Sequence, residues 1–291
     1  MNKLPKVFAT FFAVAVALMI GALVVGCKNT SEPTSSQQYD SEAAADLHAT
    51  ALGTESGGAG VSFADVQSLT KNGTISGTMV DPKSNTPSSR DTSFDPVTKL
   101  HTLVITRGNS FGKYSFSALI TYNYTFFDAA GKAMDKFTQG TTEKIVIAVA
   151  KSRSKDLGDR VDVDDTASGY WTITNIIAGT PIVNGTFSRS GTDVFHTAAN
   201  GDRTFTHSFT ISFSNDTLVK DNDNNHVYLS GPATSHFEAT TPKGYNVVRD
   251  TKITFNGDGT AALEITRTSG DGTVDTFTID VKVGYFKRFG K

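Results

Sequence analysis

Between Tyr114 and Phe126 the chain alternates. Tyr114, Phe116, Ala118, Ile120, Tyr122, Tyr124 and Phe126 fall on one parity, and Ser115, Ser117, Thr121, Asn123 and Thr125 on the other. A period of two places the apolar set on one face of a β-strand and the hydroxyl-rich set on the opposite face. Sustained over 13 residues, it makes a strand of about 43 Å at roughly 3.3 Å per residue, well beyond the usual length. A strand that long belongs to a tall sheet that twists or curls. The pattern returns downstream. Phe205, Phe209, Ile211 and Phe213 share a face with His207, opposite Thr204, Thr206, Ser208, Thr210 and Ser212; Ile145, Ile147 and Val149 keep step, as do Trp171 and Ile173, and Phe277, Ile279, Val281, Val283 and Tyr285.

Composition agrees with strands and turns. Aspartate outnumbers glutamate 23 to 6 beside 26 glycines, and Asp favours turns where Glu favours helix interiors. Turns are expected at 128–132, at Asn184-Gly185 between two apolar segments, and at the near-copies 256–260 and 269–273. Two aperiodic stretches, 81–96 and 152–168, read as long polar loops. Short helices fit Ser41–Gly53 and Ser62–Leu69, and a first strand fits Ile75–Val80. The fold class expected is all-β: a large antiparallel meander of about 12 to 14 strands, formed as a curved sheet or a β-sandwich, with at most one or two short N-terminal helices. Polar faces built from Thr and Ser indicate sheets with one wet side. A transmembrane barrel also alternates, but many of the segments read here are shorter than the roughly 9 to 11 residues a span requires.

Little in the chain is organised for catalysis. Its histidines are scattered, and none lies in a Gly-x-Ser-x-Gly turn or a metal-binding pair. His207, on the Phe face, reads as a core histidine. Glu143, Glu238 and Glu264 are the glutamates after residue 60, and the sequence selects no carboxylate pair. Asp221, Asp223 and Asn225 stand at alternate positions like the first oxygen ligands of a calcium loop. His226 then occupies the position that needs Gly, and Pro232 the position of the bidentate Glu, so a polar hairpin turn is the stronger reading. Tyr170-Trp171 could stack on a sugar ring, but neighbours on a strand face opposite ways, so at most one of them is available. Neither a cofactor nor a nucleic-acid partner is expected, because no basic run stands out.

The N-terminus carries a different signal. Lys3 and Lys6 precede an uncharged run from Val7 to Val25, and the only cysteine follows it in Leu23-Val24-Val25-Gly26-Cys27. The stretch resembles the lipobox of bacterial lipoproteins, in which a small residue precedes a cysteine that takes up lipid. The resemblance implies that residues 1–26 are a signal peptide recognised through Leu23, Val24, Val25 and Gly26, and that Cys27 becomes the acylated N-terminus. It implies three acyl chains, and two or more hold a protein stably on a bilayer. Lys28, where an inner-membrane lipoprotein tends to have Asp, points to the outer membrane of the bacterial cell envelope. With the leader gone, 25 basic groups face 29 acids, and Cys27 is committed to lipid, which leaves no thiol for disulfides or metals.

The expected organisation is therefore a signal peptide at 1–26, a flexible tether with a short helix at 27–60, and an antiparallel β domain at 61–291. The expected function is a membrane-anchored envelope lipoprotein with a non-enzymatic binding or structural role. A carrier of lipid or another hydrophobic ligand and a surface carbohydrate binder are the alternatives.

Overall fold

The computed structural model describes residues 37–53, 58–75, 89–111, 114–156, 161–197, 201–220 and 227–281, all within one compact unit spanning 31–291. The lipobox residues Leu23 to Cys27, the calcium-like Asp221, Asp223 and Asn225, and most of the strand expected at Ile75–Val80 lie outside them.

Among the described residues, twelve strands form one sheet: β1 (Ser89–Asp95), β2 (Leu100–Phe111), β3 (Tyr114–Asp128), β4 (Ala133–Met134), β5 (Thr142–Asp156), β6 (Val161–Thr174), β7 (Ile182–Thr197), β8 (Gly201–Lys220), β9 (Val227–Thr240), β10 (Asn246–Asn256), β11 (Thr260–Arg267) and β12 (Val274–Asp280). Each strand pairs antiparallel with the next in sequence, except that β3 pairs directly with β5 and the two-residue β4 adds to β3 in the connection between them. β1 and β12 are the ends of this order, so the meander is open and not closed into a barrel.

Three stretches differ from their sequence reading. Within 81–96, Ser89–Asp95 is strand β1, paired from Ser89↔Thr106 to Asp95↔Leu100. All seven of its residues are exposed, so no buried face wrote an apolar period into it. Within 152–168, β5 continues to Asp156 and β6 begins at Val161, paired through Arg153↔Asp165 and Ser152↔Thr166. The inward positions there include Arg153 and Asp165, and charges on the core side erase the hydrophobic signature. Asn184-Gly185 is not a hairpin turn but a β-bulge inside the 16-residue β7. Gly185 has φ 149°, and a Cβ there would sit 2.0 Å from the Tyr170 carbonyl oxygen. The glycine is required by close backbone approach, while Asn184 Oδ1 accepts the Asn215 N–H at 2.9 Å across a matching bulge in β8.

Among the described residues, two helices close the inner face of the sheet, α1 (Gln37–Leu52) and α2 (Ala59–Asn72). α1 covers β10 to β12 and α2 covers β9. α1 is rich in alanine, the best helix former, and Ala44, Ala45, Leu47, Ala49 and Ala51 are all at most 1% exposed. It is buried around its circumference, which suits a helix without a strong apolar stripe. Its polar side chains are matched by the strands: Asp40 pairs with Arg203, and Arg249 Nε donates to Ser41 Oγ at 3.2 Å. His48 Nδ1–H donates to the Ala44 carbonyl at 2.6 Å, so its neutral ring accepts the Ser235 hydroxyl at Nε2, 2.5 Å away. α2 ends at Gly73, a left-handed cap whose N–H bonds Leu69 O at 3.0 Å. Phe63 of α2 lies against Trp171 and Phe213 at 5.1 and 5.2 Å, and Tyr122 donates to Asp65 at 2.6 Å.

Candidate functional site

Because side chains alternate, filling one face with helices leaves the other to solvent. From β6 to β11 the outward positions are almost wholly polar, and the antiparallel register aligns them in rows across the strands. One row runs Tyr170, Thr186, Ser212, Thr234, Lys252, Glu264. The adjacent row runs Ser168, Ser188, Thr210, His236, Asp250, Thr266. Neighbours within a row are about 4.8 Å apart, and the rows are separated by two residues, about 6.6 Å along each strand. Hydroxyls bond to one another where they meet, as Ser188 and Thr210 do at 3.0 Å.

Between β8 and β11 this face holds a shallow groove of about 310 Å³, lined by Thr210, Ser212, Thr234, His236, Asp250 and Lys252 among others. His236 organises its polar groups. Its Nδ1 lies 2.6 Å from Asp250 Oδ1 and its Nε2 3.1 Å from Glu238 Oε1, while Thr268 donates to Asp250 Oδ2 at 2.8 Å. Partial burial works against the charged imidazole, but the hydrogen bonds to Asp250 and Glu238 outweigh it and raise the His236 pKa above its usual value. The carboxylate and imidazole planes are thereby held in place.

Of the two aromatic residues singled out by sequence, Tyr170 is 45% exposed and Trp171 is fully buried. Trp171 is packed between Phe63 and Phe187, its ring stacked on the latter at 6.4 Å. Tyr170 heads the same row as Ser212 and Thr234 of the groove, two and three strands away. Sequence reasoning passed over Thr234, His236, Asp250 and Lys252. They are separated by up to 18 positions along the chain, and only the strand register brings them together.

A second polar cluster lies on the inner face. Arg153 Nε and Nη2 donate to Asp165 at 2.7 and 2.8 Å, Arg189 Nε bonds the same carboxylate, and Arg189 Nη2 donates to both oxygens of Asp193 at 2.6 and 2.7 Å. His207 Nε2 is 3.3 Å from Asp193. Burial disfavours the Asp165 carboxylate, but the two guanidiniums hold its pKa at about 2. Burial leaves the Asp193 pKa above the usual range against the pull of Arg189, and burial together with Arg189 pushes His207 down to about 3. Asp165 is in register with Gly191, as is His207 from the other side. A side chain at Gly191 would collide with the Asp164 carbonyl oxygen and with Asp165, so the glycine permits the close approach of β6 and β7 there. Arg153, Asp165, Arg189 and Asp193 pair inside the core as a structural ion chain, while Arg189 Nη1 and the two His207 ring nitrogens are buried without a hydrogen bond among the described residues.

Among the described residues, no three His, Cys, Asp or Glu side chains converge in a way that could hold a metal ion, and no helix is long and apolar enough to cross a membrane. No family model matches the chain, and neither a curated protein nor a solved structure is significantly similar to it.

Proposed function

We propose that this chain is a lipid-anchored protein of the bacterial cell envelope whose β domain acts by binding, through the polar outer face of its sheet, rather than by catalysis. The observation that carries the binding reading is the division of the sheet. The aromatic inner face, where a lipid carrier would hold acyl chains, is filled by α1 and α2; Phe209, for example, lies against His48 of α1 at 4.6 Å. The outer face remains open and presents ordered rows of hydroxyl and ionisable groups. Strands such as β8, with 20 residues, are longer than the sequence suggested and could span a bilayer by length alone. A membrane barrel turns an apolar band outward, whereas the outward residues here include Lys252, Asp250, Glu238 and Glu264 beside many Thr and Ser.

Anchoring rests on Gly26-Cys27 and the apolar run before it. Lys28 after the cysteine favours the outer membrane. Nine residues lie between Cys27 and the first residue of α1, and the ten Cα–Cα steps across them reach at most about 36 Å when fully extended. On this reading the domain works close to its membrane. Cys27→Ser tests the anchor: the variant should lose incorporation of labelled palmitate and shift in processing, so that its mass and fractionation differ from the parent's. Unchanged mature mass and fractionation would overturn it.

A further inference from the structure

We propose that the two outer-face rows from Tyr170 to Asp250 form a binding site for a neutral oligosaccharide of gluco-configured pyranose rings, laid across the strands. The inference rests on the outer-face binding reading above and names its ligand.

Three observations converge on this class. The lining groups are hydroxyls together with the Lys252 ammonium and one carboxylate and one imidazole held in fixed orientation by Thr268 and Glu238. Vicinal sugar hydroxyls each donate and accept, and they are matched by such mixed groups, whereas an apolar ligand would leave these groups desolvated and unpaired. The charges are balanced: His236 is flanked by Asp250 and Glu238, and Lys252 stands in register with Glu264. The groove therefore lacks the concentrated positive field that would select a phosphate or a polyanion.

The third observation is Tyr170, a half-exposed ring at the head of the row that enters the groove. Equatorially substituted pyranoses have flat C–H faces that pack on aromatic rings. Tyr170 lies two strands from Ser212, roughly 10 Å at the usual strand spacing. A single sugar cannot reach both the ring and the groove, so the site takes a chain of several rings. Tyr170 supplies the platform, and Ser212, Thr234, His236, Asp250 and Lys252 supply the hydrogen bonds.

The test uses the full chain in detergent micelles, titrated with cellotetraose, maltotetraose and chitotetraose by calorimetry. At least one should bind with a dissociation constant below about 1 mM. Tyr170→Ala and Thr234→Ala should each weaken it at least tenfold, while Leu119→Ala, exposed on the same face outside the rows, leaves it unchanged. Denaturation midpoints of all three variants should match the parent, since the substituted side chains face solvent. Saturating tetraose should also shift the Tyr170 ring resonances. Failure of all three sugars to bind at about 1 mM, or binding indifferent to Tyr170→Ala and Thr234→Ala, overturns the site. Either failure leaves the Cys27→Ser result standing, so the ligand and the anchor are judged separately.

Discussion

Arg189 is completely buried, and a guanidinium removed from water is tolerated only when anions and hydrogen bonds replace its hydration. Asp165 and Asp193 do this from β6 and β7. Asp165 serves two cations at once, because Arg153 reaches the same carboxylate from β5. Asp165→Asn should therefore destabilise the fold by about 3–5 kcal/mol, measured by urea denaturation. Replacing Arg153, Asp165 and Arg189 together by apolar residues should cost far less than the three single changes combined, since no uncompensated charge is left behind. From sequence, Asp165 belongs to a run of aspartates and reads as part of a solvated loop. Nothing local distinguishes it from the exposed Asp164 beside it. Its inward orientation depends on arginines 12 residues before it and 24 after it. The core position of His207, by contrast, was legible, because its parity matched four apolar neighbours and it is indeed buried.

At the scale of elements, the long strands followed directly from periodicity, and the 13-residue alternation lies within β3, Tyr114–Asp128. The glycine-rich repeats at 256–260 and 269–273 turn the chain between β10, β11 and β12, each with an Asp carboxylate accepting the N–H two residues on, at 2.8 and 3.0 Å. Asn184-Gly185 has equally strong hairpin chemistry and yet lies within a strand. A dipeptide that tolerates positive φ serves a bulge as well as a turn, and the choice between them is made by the strands on either side. The two uses of glycine separate experimentally. Gly185→Ala should cost about 2–4 kcal/mol, because positive φ and backbone collision act together. Gly179→Ala, at φ +80° with open space around it, should cost only about 1 kcal/mol. Equal losses in denaturation midpoint would show that the Tyr170 contact is not the constraint at Gly185.

For the molecule as a whole, a meander of this size holds together because α1 and α2 cover its inner face, and the histidines buried there, His48 on α1 and His207 on β8, make it sensitive to acid. Burial lowers the pKa of His48 to about 4 and that of His207 to about 3. Below the unfolded value near 6.5 the unfolded chain binds protons that the folded chain refuses, so their contribution to stability is full above that pH and is lost as pH falls toward the folded values. Asp216, whose carboxyl burial raises to about 7, works in the opposite direction between about pH 7 and 4. The measurement is therefore differential. Between pH 7 and 4.5 the stability of His207→Phe should fall by about 2–3 kcal/mol less than that of the parent, and parallel slopes would refute the buried neutral imidazole.

The sequence alone determined the class of structure, because alternation over long segments and turn-rich composition are local properties that any fold of the chain must satisfy. It also carried the lipobox resemblance, a linear motif read in an extended chain. Tertiary structure decided the rest: that charges at 153, 165 and 189 turn inward, that a buried helix fills the space beneath β10 to β12, and that Thr234, His236 and Asp250 lie side by side with Tyr170 three strands along the row of Thr234. Register is the reason. A one-residue slip between two strands would turn the polar rows of one strand to the core, and what fixes the register is the packing of the inner face against α1 and α2, which involves residues far apart in the chain.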